Sequence, residues 1–276
     1  MTIAPQDFFP HLAGWVANLD DIFPGKQIKP WFAQWEVGHI VSLIILGGSA
    51  ILLNLRLIGV GLTEETPSEM RRNIRPWMHV GVIGIVLTGL LIGSANAERL
   101  YTSEAFSAKM VGLLAGVILT YGVSLPLAKA DGRAGTSVRL AAVAGLALFG
   151  LAVVMFFSAK LANPGLWHVL TAGGLIVLYA TRGAVRRVYL VGMLALIAAH
   201  QVMTHVIIPA DDYARLDPVN KTFAFIFLGA ITAGAVAQAL VSGRGREGGP
   251  FTKGMAYAGI LVWVMTAAAG RWLAFA

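Results

Sequence analysis

Eight stretches of this 276-residue chain are apolar enough to cross a lipid bilayer as α-helices. A spanning helix needs about 20 mostly apolar residues. The stretches lie at about 38–60, 76–95, 107–128, 138–160, 166–182, 187–209, 222–242 and 252–274. Charged residues make up 13% of the chain, roughly half the share found in soluble domains. The sequence therefore predicts an all-α, polytopic membrane protein with about eight transmembrane helices.

The chain contains no cysteine, which excludes thiol catalysis, disulfides and cysteine-ligated metal centres. It also lacks the short motifs of P-loop nucleotide binding, zinc proteases and serine hydrolases. If the protein takes part in an enzymatic reaction, we expect it to do so as an electron-transfer subunit of an oxidoreductase complex.

The net charge of +7 is divided unevenly between the two sides of the predicted bundle. The loops after spans one, three, five and seven hold 13 Lys or Arg and five acids, whereas the other side holds eight cations and nine acids. Because cytoplasmic loops carry the excess of Lys and Arg, both termini are predicted to be extracytoplasmic in a bacterial inner membrane. The basic balance thus records topology and does not indicate a nucleic-acid partner.

Residues 1–36 precede the first long apolar run and carry apolar side chains at helical spacing, among them Phe8, Leu12 and Trp15. This pattern predicts an amphipathic helix lying on the outer leaflet.

The chain also contains a weak internal repeat. Trp35 and His39 precede a Gly-Gly pair in span one, and Trp167 and His168 precede a second Gly-Gly pair in span five. The repeat suggests two four-helix halves, residues 37–160 and 161–276.

Four histidines fall in the outer half of the predicted bundle, on three different helices: His39, His168, His200 and His205. Ionisable residues inside a bilayer are costly, so each is a candidate functional residue. Imidazole binds haem iron and copper, but it also joins helices through ordinary hydrogen bonds. His200 and His205 lie about 140° apart around a helix, so they cannot both point at one ligand.

Two stripes of small and polar residues mark inward-facing helix surfaces. Steps of three and four residues from His39 pass through Ser42, Gly47 and Ala50 to Asn54. Similar steps from Lys109 pass through Gly112, Gly116, Thr120 and Ser124. Lys109 either pairs with a carboxylate such as a haem propionate or extends to the lipid headgroups.

Residues 35–128 resemble a family of small uncharacterised bacterial membrane proteins and, more distantly, copper-resistance D-type membrane proteins. The likeness lies in the Gly-rich helix that begins at His39, the Arg-Pro-Trp sequence at 75–77, the Thr-Gly-Leu-Leu run at 88–91 and the Phe-Ser-Ala-Lys sequence at 106–109. The resemblance implies metal or haem handling that involves His39 and Lys109.

The leading hypothesis from sequence is a haem b-binding membrane subunit of a bacterial electron-transfer complex. His39, His168, His200 and His205 are the candidate iron ligands, and Lys109 is the candidate propionate partner. Electrons would pass between an extracytoplasmic protein, such as a periplasmic cytochrome c, and quinone or another membrane subunit. One alternative is a copper-handling protein that uses the same histidines. Another is a structural or assembly subunit without a cofactor.

Overall fold

Eight helices form the bundle in the computed structural model, which describes residues 3–158, 163–243 and 248–273; the side chains at 163–166, 168 and 272 lie outside this description. We name them α1 (Phe32–Ile58), α2 (Pro67–Ser94), α3 (Glu104–Lys129), α4 (Thr136–Ser158), α5 (Asn163–Ala180), α6 (Gly183–Ile207), α7 (Tyr213–Val241) and α8 (Pro250–Trp272). No β-strand occurs in the described ranges. The predicted all-α membrane fold is confirmed.

Seven of these helices are long and apolar enough to cross a membrane, as judged from the described residues. The exception is α5, whose described apolar part is Val169–Ala180. All 18 residues of α5 would extend about 27 Å at 1.5 Å per residue, which is close to the thickness of a bilayer core. The predicted eighth crossing therefore rests on the shortest helix of the bundle.

Both ends of the described chain lie on one face of the bundle, which we call the terminal face. The Tyr101 hydroxyl, in the α2–α3 connection, donates a hydrogen bond to the Phe9 carbonyl. In the same connection, the Arg99 guanidinium donates to the Leu273 carbonyl at 2.9 Å, just after α8. The α1–α2, α3–α4, α5–α6 and α7–α8 connections lie at the other end of the helices, the opposite face.

Glycine brings α1 and α2 into direct contact. A Cβ atom added to Gly81 would lie 2.6 Å from the Leu46 backbone nitrogen, and one added to Gly84 would clash with the Ser42 hydroxyl. Close backbone approach at small residues is the usual way in which helices associate without a hydrophobic driving force. At the start of α2, Thr66 and Glu69 form a capping box that extends this helix well beyond the predicted apolar span.

The last helix, α8, packs against helices from both predicted halves: α1 and α3 on one side, α5 and α7 on the other. Its Trp263 is 2% exposed, and the indole N–H donates to the Thr120 hydroxyl of α3 at 3.0 Å. By contrast, α6 packs mainly against α7 and exposes most of its apolar side chains. The division into halves at residue 160 remains a prediction.

The N-terminal segment forms short turns in place of one continuous amphipathic helix, because Pro10 has no N–H with which to extend the preceding turn. Its helices are Pro5–Phe8, Pro10–Leu12, Ala13–Val16, Gly25–Ile28 and Lys29–Trp31, and a further short helix, Ala97–Tyr101, packs beneath the first turns. Phe8, Phe9 and Trp15 are more than half exposed. A hydrogen bond from Lys29 lowers the pKa of the Asp20 carboxyl in this segment.

Because the chain has no native cysteine, its orientation can be tested with single cysteines. Gly14 on the terminal face and Gly135 on the opposite face both have open space where a side chain would begin. In intact spheroplasts we expect a membrane-impermeant maleimide to label Gly14→Cys, and to label Gly135→Cys only after permeabilisation. The reverse pattern would place both termini in the cytoplasm.

Candidate functional site

A buried histidine, His39, lies between α1, α2 and α3 near the terminal face. Its Nδ1 lies 2.9 Å from the Thr88 hydroxyl, and its Nε2 lies 3.2 Å from the Lys109 ammonium. An ammonium group can only donate, so Nε2 accepts its hydrogen bond and the ring proton resides on Nδ1. Nδ1 then donates to Thr88, whose hydroxyl donates to the Gly84 carbonyl at 2.6 Å. Both ring nitrogens are therefore engaged.

Small residues hold this imidazole in place. A Cβ atom on Gly89 would lie 3.2 Å from His39 Cε1, so glycine at this position lets α2 approach the ring edge without displacing it. On the other side, Gly270 of α8 lies against the Lys109 side chain, where an added Cβ would meet Cε at 3.4 Å. Glu36, one turn before His39, is the carboxylate whose charge acts on Lys109. Sequence reasoning identified His39 and Lys109, and the structure brings them together.

From this pair, buried polar side chains continue along the interface of α1, α3 and α8 toward the opposite face. Trp263 donates to Thr120, and the Ser124 hydroxyl donates to the Asn54 side-chain oxygen at 2.8 Å. We call this set the polar seam: His39, Lys109, Thr266, Thr120, Trp263, Ser124 and Asn54. Except for the half-buried Lys109, each member is less than 9% exposed.

Both stripes predicted from sequence line this seam. Gly47 and Gly116 lie against the ring of Trp263, and Asn54 lies against Gly259 of α8. The part of α3 from Ile118 to Ser124 is π-helical, and it holds both hydroxyls that bond across the seam. A π-helical turn is rare and often accompanies a functional site. Sequence reasoning did not identify α8 as the third wall of this interface.

The other candidate histidines lie elsewhere. His200 on α6 contacts Asn220 of α7 at 2.8 Å, and its ring packs 4.5 Å from that of Trp167 on α5. His205 is exposed and contacts the neighbouring Thr204 hydroxyl at 2.8 Å. The backbone of His168 belongs to α5, but its side chain is outside the described residues. Within the described residues, the structure thus brings none of these histidines to His39.

His79, on α2 near the opposite face, has partners that the sequence did not indicate. Its Nδ1 lies 3.0 Å from the Tyr121 hydroxyl, the two rings stack at 5.5 Å, and Arg75 donates to Nε2 at 3.1 Å. The contact between Arg75 and His79 could have been predicted from sequence, because a spacing of four residues places both side chains on one helix face.

The arrangement around His39 does not fit a haem as it stands. Lys109 occupies the Nε2 side that an iron atom would take, and the glycines of α2 leave no gap for a porphyrin between α1 and α2. Among the described residues, no group of three His, Cys, Asp or Glu side chains could hold a metal ion. The haem and copper hypotheses therefore remain predictions from sequence.

A family model described only as a family of unknown function, DUF6644, matches residues 23–170. The chain belongs to this family. The match covers α1 to α4 and the first part of α5, and it includes His39, Thr88 and Lys109. No curated protein and no solved structure matches the chain. Membership of DUF6644 agrees with the predicted likeness to uncharacterised membrane proteins, and it assigns no activity.

The hydrogen bonds at His39 predict a specific tautomer. In the protein labelled with ¹⁵N-histidine, we expect the His39 resonances to show a proton on Nδ1 and an accepting lone pair on Nε2. Lys109→Met removes the donor to Nε2 and should shift that resonance, whereas Lys26→Met, an exposed cation of the terminal face, should leave it unchanged. A proton found on Nε2 in the wild type would contradict this hydrogen-bond assignment.

Proposed function

We propose that the protein is a membrane transport protein that carries a small anion across the bilayer along the polar seam between α1, α3 and α8. The supporting observation is the seam itself, because buried polar groups occur at successive levels from His39 and Lys109, near the terminal face, to Asn54 and Ser124, toward the opposite face. About 20 Å of helix rise separates Lys109 from Ser124 on α3. Polar and ionisable residues inside a membrane protein commonly mark the path of a solute or ion.

The charges of the buried residues favour an anion over a cation. In the described part of the chain, the buried polar and charged side chains include His39, Arg56 and Lys253 but no Asp or Glu. Beyond His39 and Lys109, the seam offers neutral groups that can donate hydrogen bonds, from Thr, Ser, Asn and Trp. Rings of Lys or Arg are typical of anion pores, and carboxylates of cation pores.

In the structure the seam is filled by its own side chains, so passage requires α8 to shift against α1 and α3. Small residues make such a shift feasible: Gly47, Gly112, Gly116 and Gly259 provide the surface on which Trp263, Thr266 and Asn54 pack. Packed helices that slide by small amounts are a common basis of conformational change. The π-helical part of α3 lies at the same level.

The direct experiment measures anion entry into proteoliposomes. Vesicles that contain the protein are placed in potassium salts of chloride, nitrate, formate or phosphate, with valinomycin to let potassium follow, and swelling is recorded by light scattering. We expect at least one of the four anions to enter faster than it enters protein-free vesicles. If each of the four anions enters these vesicles no faster than it enters protein-free vesicles, the proposal is overturned.

A second candidate is the electron-transfer subunit with haem b predicted from sequence. His39 and Lys109, which that hypothesis pairs as iron ligand and propionate partner, are neighbours. Lys109 would have to leave Nε2 to free it as a ligand. Oxidised and dithionite-reduced visible spectra of the purified protein test this candidate: sharp α and Soret bands would support it, and a colourless protein would exclude it. Copper handling, suggested by the distant likeness to copper-resistance D-type proteins, is tested by metal analysis of the same sample.

In either case we propose that the protein resides in the bacterial inner membrane with both termini extracytoplasmic. His39 and Lys109 would then lie near the extracytoplasmic side of the membrane, and Lys253 would lie near the cytoplasmic side. The exposed aromatic residues of the N-terminal segment, including Phe8 and Trp15, suit an interfacial position on the outer leaflet.

A further inference from the structure

A cavity of about 600 Å³ opens at the opposite face, between the end of α1, the α5–α6 junction, the end of α7 and the start of α8. A volume of this size is within the range of small-molecule sites. Its polar lining comes from Arg182, Gln238, Ser242, Lys253 and Tyr257. Among the described residues that line it, Arg182 and Lys253 are cationic and none is acidic.

Among the described residues, two buried polar groups in this lining lack adequate hydrogen-bond partners. Tyr257 is 2% exposed and lines the cavity, yet its hydroxyl has no hydrogen-bond partner among the described residues. Lys253 is 6% exposed, and the contact found for its ammonium is a long one of 3.4 Å to the Gly243 carbonyl. A buried hydroxyl or ammonium without a partner is costly, so such groups usually serve a bound ligand.

The remaining polar groups help to define the site. Gln238 has both ends of its amide engaged, because its side-chain oxygen accepts from the Arg182 backbone N–H at 2.8 Å and its nitrogen donates to the Ser242 hydroxyl at 2.8 Å. This contact fixes the start of α6 against α7. The Arg182 guanidinium remains exposed, and its charge acts on Tyr257. The cavity therefore offers two cations and two hydroxyls, those of Tyr257 and Ser242, since Ser242 only accepts from Gln238 and keeps its own proton to donate.

We infer that this cavity binds a phosphate-type oxyanion, with Lys253 and Tyr257 as its buried donors and Arg182 at its mouth. Several oxygens on one ligand could accept from the ammonium, the hydroxyl and the guanidinium at the same time. Such a group could come from a dissolved phosphate compound or from the headgroup of an anionic lipid, since the cavity lies where the helices reach one membrane surface. This inference goes beyond the proposed transport and does not depend on it.

Binding is measured on the full chain in detergent, by calorimetry and by the shift in melting temperature, with two probes. Inorganic phosphate represents the dissolved source, and short-chain phosphatidylglycerol represents the lipid headgroup, with short-chain phosphatidylcholine as its control. We expect saturable binding of phosphate, of phosphatidylglycerol, or of both. Binding of phosphate alone identifies a dissolved ligand, and binding of phosphatidylglycerol alone identifies a lipid. Binding of neither probe overturns the inference.

Variants show whether the binding is at this cavity. Lys253→Met should lower the affinity for the bound probe about tenfold or more, and Tyr257→Phe should lower it roughly threefold. Tyr257→Phe removes a hydroxyl that has no partner, so the ligand-free protein should melt no lower than the wild type, which separates a lost ligand contact from misfolding. Arg139→Met, an exposed cation at the start of α4, is the control and should bind normally. Unchanged binding in both cavity variants would overturn the assignment, whereas binding without anion flux would refute only the proposed transport.

Discussion

Replacing Gly81 with alanine will destabilise the protein by about 3 kcal/mol, because the added methyl group meets the backbone of a neighbouring helix. The added Cβ would lie 2.6 Å from the Leu46 nitrogen and 2.8 Å from its Cα, and neither backbone atom can rotate away. The contact between α1 and α2 must then open, and with it the site in which Thr88 holds His39. Equilibrium unfolding in mixed detergent and SDS micelles measures the change.

Gly48 provides a matched control for this substitution. It lies on the neighbouring helix α1, and a Cβ atom there would have no heavy atom within 4 Å. Gly48→Ala should therefore leave stability unchanged or raise it by roughly 0.5–1 kcal/mol, the usual gain from replacing glycine in a helix. If the two alanine variants unfold alike, α1 and α2 do not pack as described here.

Replacing Lys109 with methionine will reduce anion flux about tenfold or more. Methionine keeps much of the length and apolar volume of the side chain but removes the positive charge at the terminal end of the polar seam. At an effective dielectric constant of 20, one charge about 4 Å from an ion contributes about 4 kcal/mol, and each 1.4 kcal/mol corresponds to a factor of ten in rate. The measurement is vesicle swelling with whichever anion the wild type carries.

Two further variants separate the charge of Lys109 from its packing. Lys109→Arg keeps the positive charge and should retain most of the flux. Lys26→Met removes an exposed cation from the same face, outside the seam, and should behave like the wild type. Each variant is first shown to be folded and monodisperse by gel filtration. Flux through Lys109→Met at the wild-type rate would show that anions do not pass this residue.

The helical stripes were the part of the site that sequence could predict. Small and polar residues at steps of three and four identify a helix face that packs against other helices, because lipid-facing positions have no need of them. Gly47, Ala50 and Asn54 on α1 are buried as predicted, as are Gly112, Thr120 and Ser124 on α3. These patterns are local, so they appear within a single helix.

The partners of those faces could not be predicted, because the pairing of helices is decided by packing between distant parts of the chain. Thr88 looked like part of an apolar run, yet it is the hydroxyl that accepts from His39. Neither Trp263, which lines the seam, nor Tyr257, which lines the cavity, was singled out from the sequence. Nothing in the local sequence of α8 indicates that α1 and α3 are its neighbours.

The grouping of histidines illustrates the same limit. His39, His200 and His205 share a depth in the predicted bundle, but depth does not determine which helix interface a residue enters. The structure places His39 between α1, α2 and α3, and His200 between α5, α6 and α7. Distance along the membrane normal can be read from sequence, and lateral distance cannot.

The most direct test of the proposed path is the accessibility of the seam to an anionic reagent, which the absence of native cysteine makes straightforward. Single cysteines replace Ser124 in the seam and Val143 on the lipid-exposed surface of α4, where the side chain is 69% exposed. Both variants are treated in proteoliposomes with a negatively charged and a positively charged methanethiosulfonate. The proposal predicts that Ser124→Cys reacts, and reacts faster with the anionic reagent, whereas Val143→Cys reacts with neither. A Ser124→Cys protein that stays unmodified, or that prefers the cationic reagent, would contradict an anion path between α1, α3 and α8.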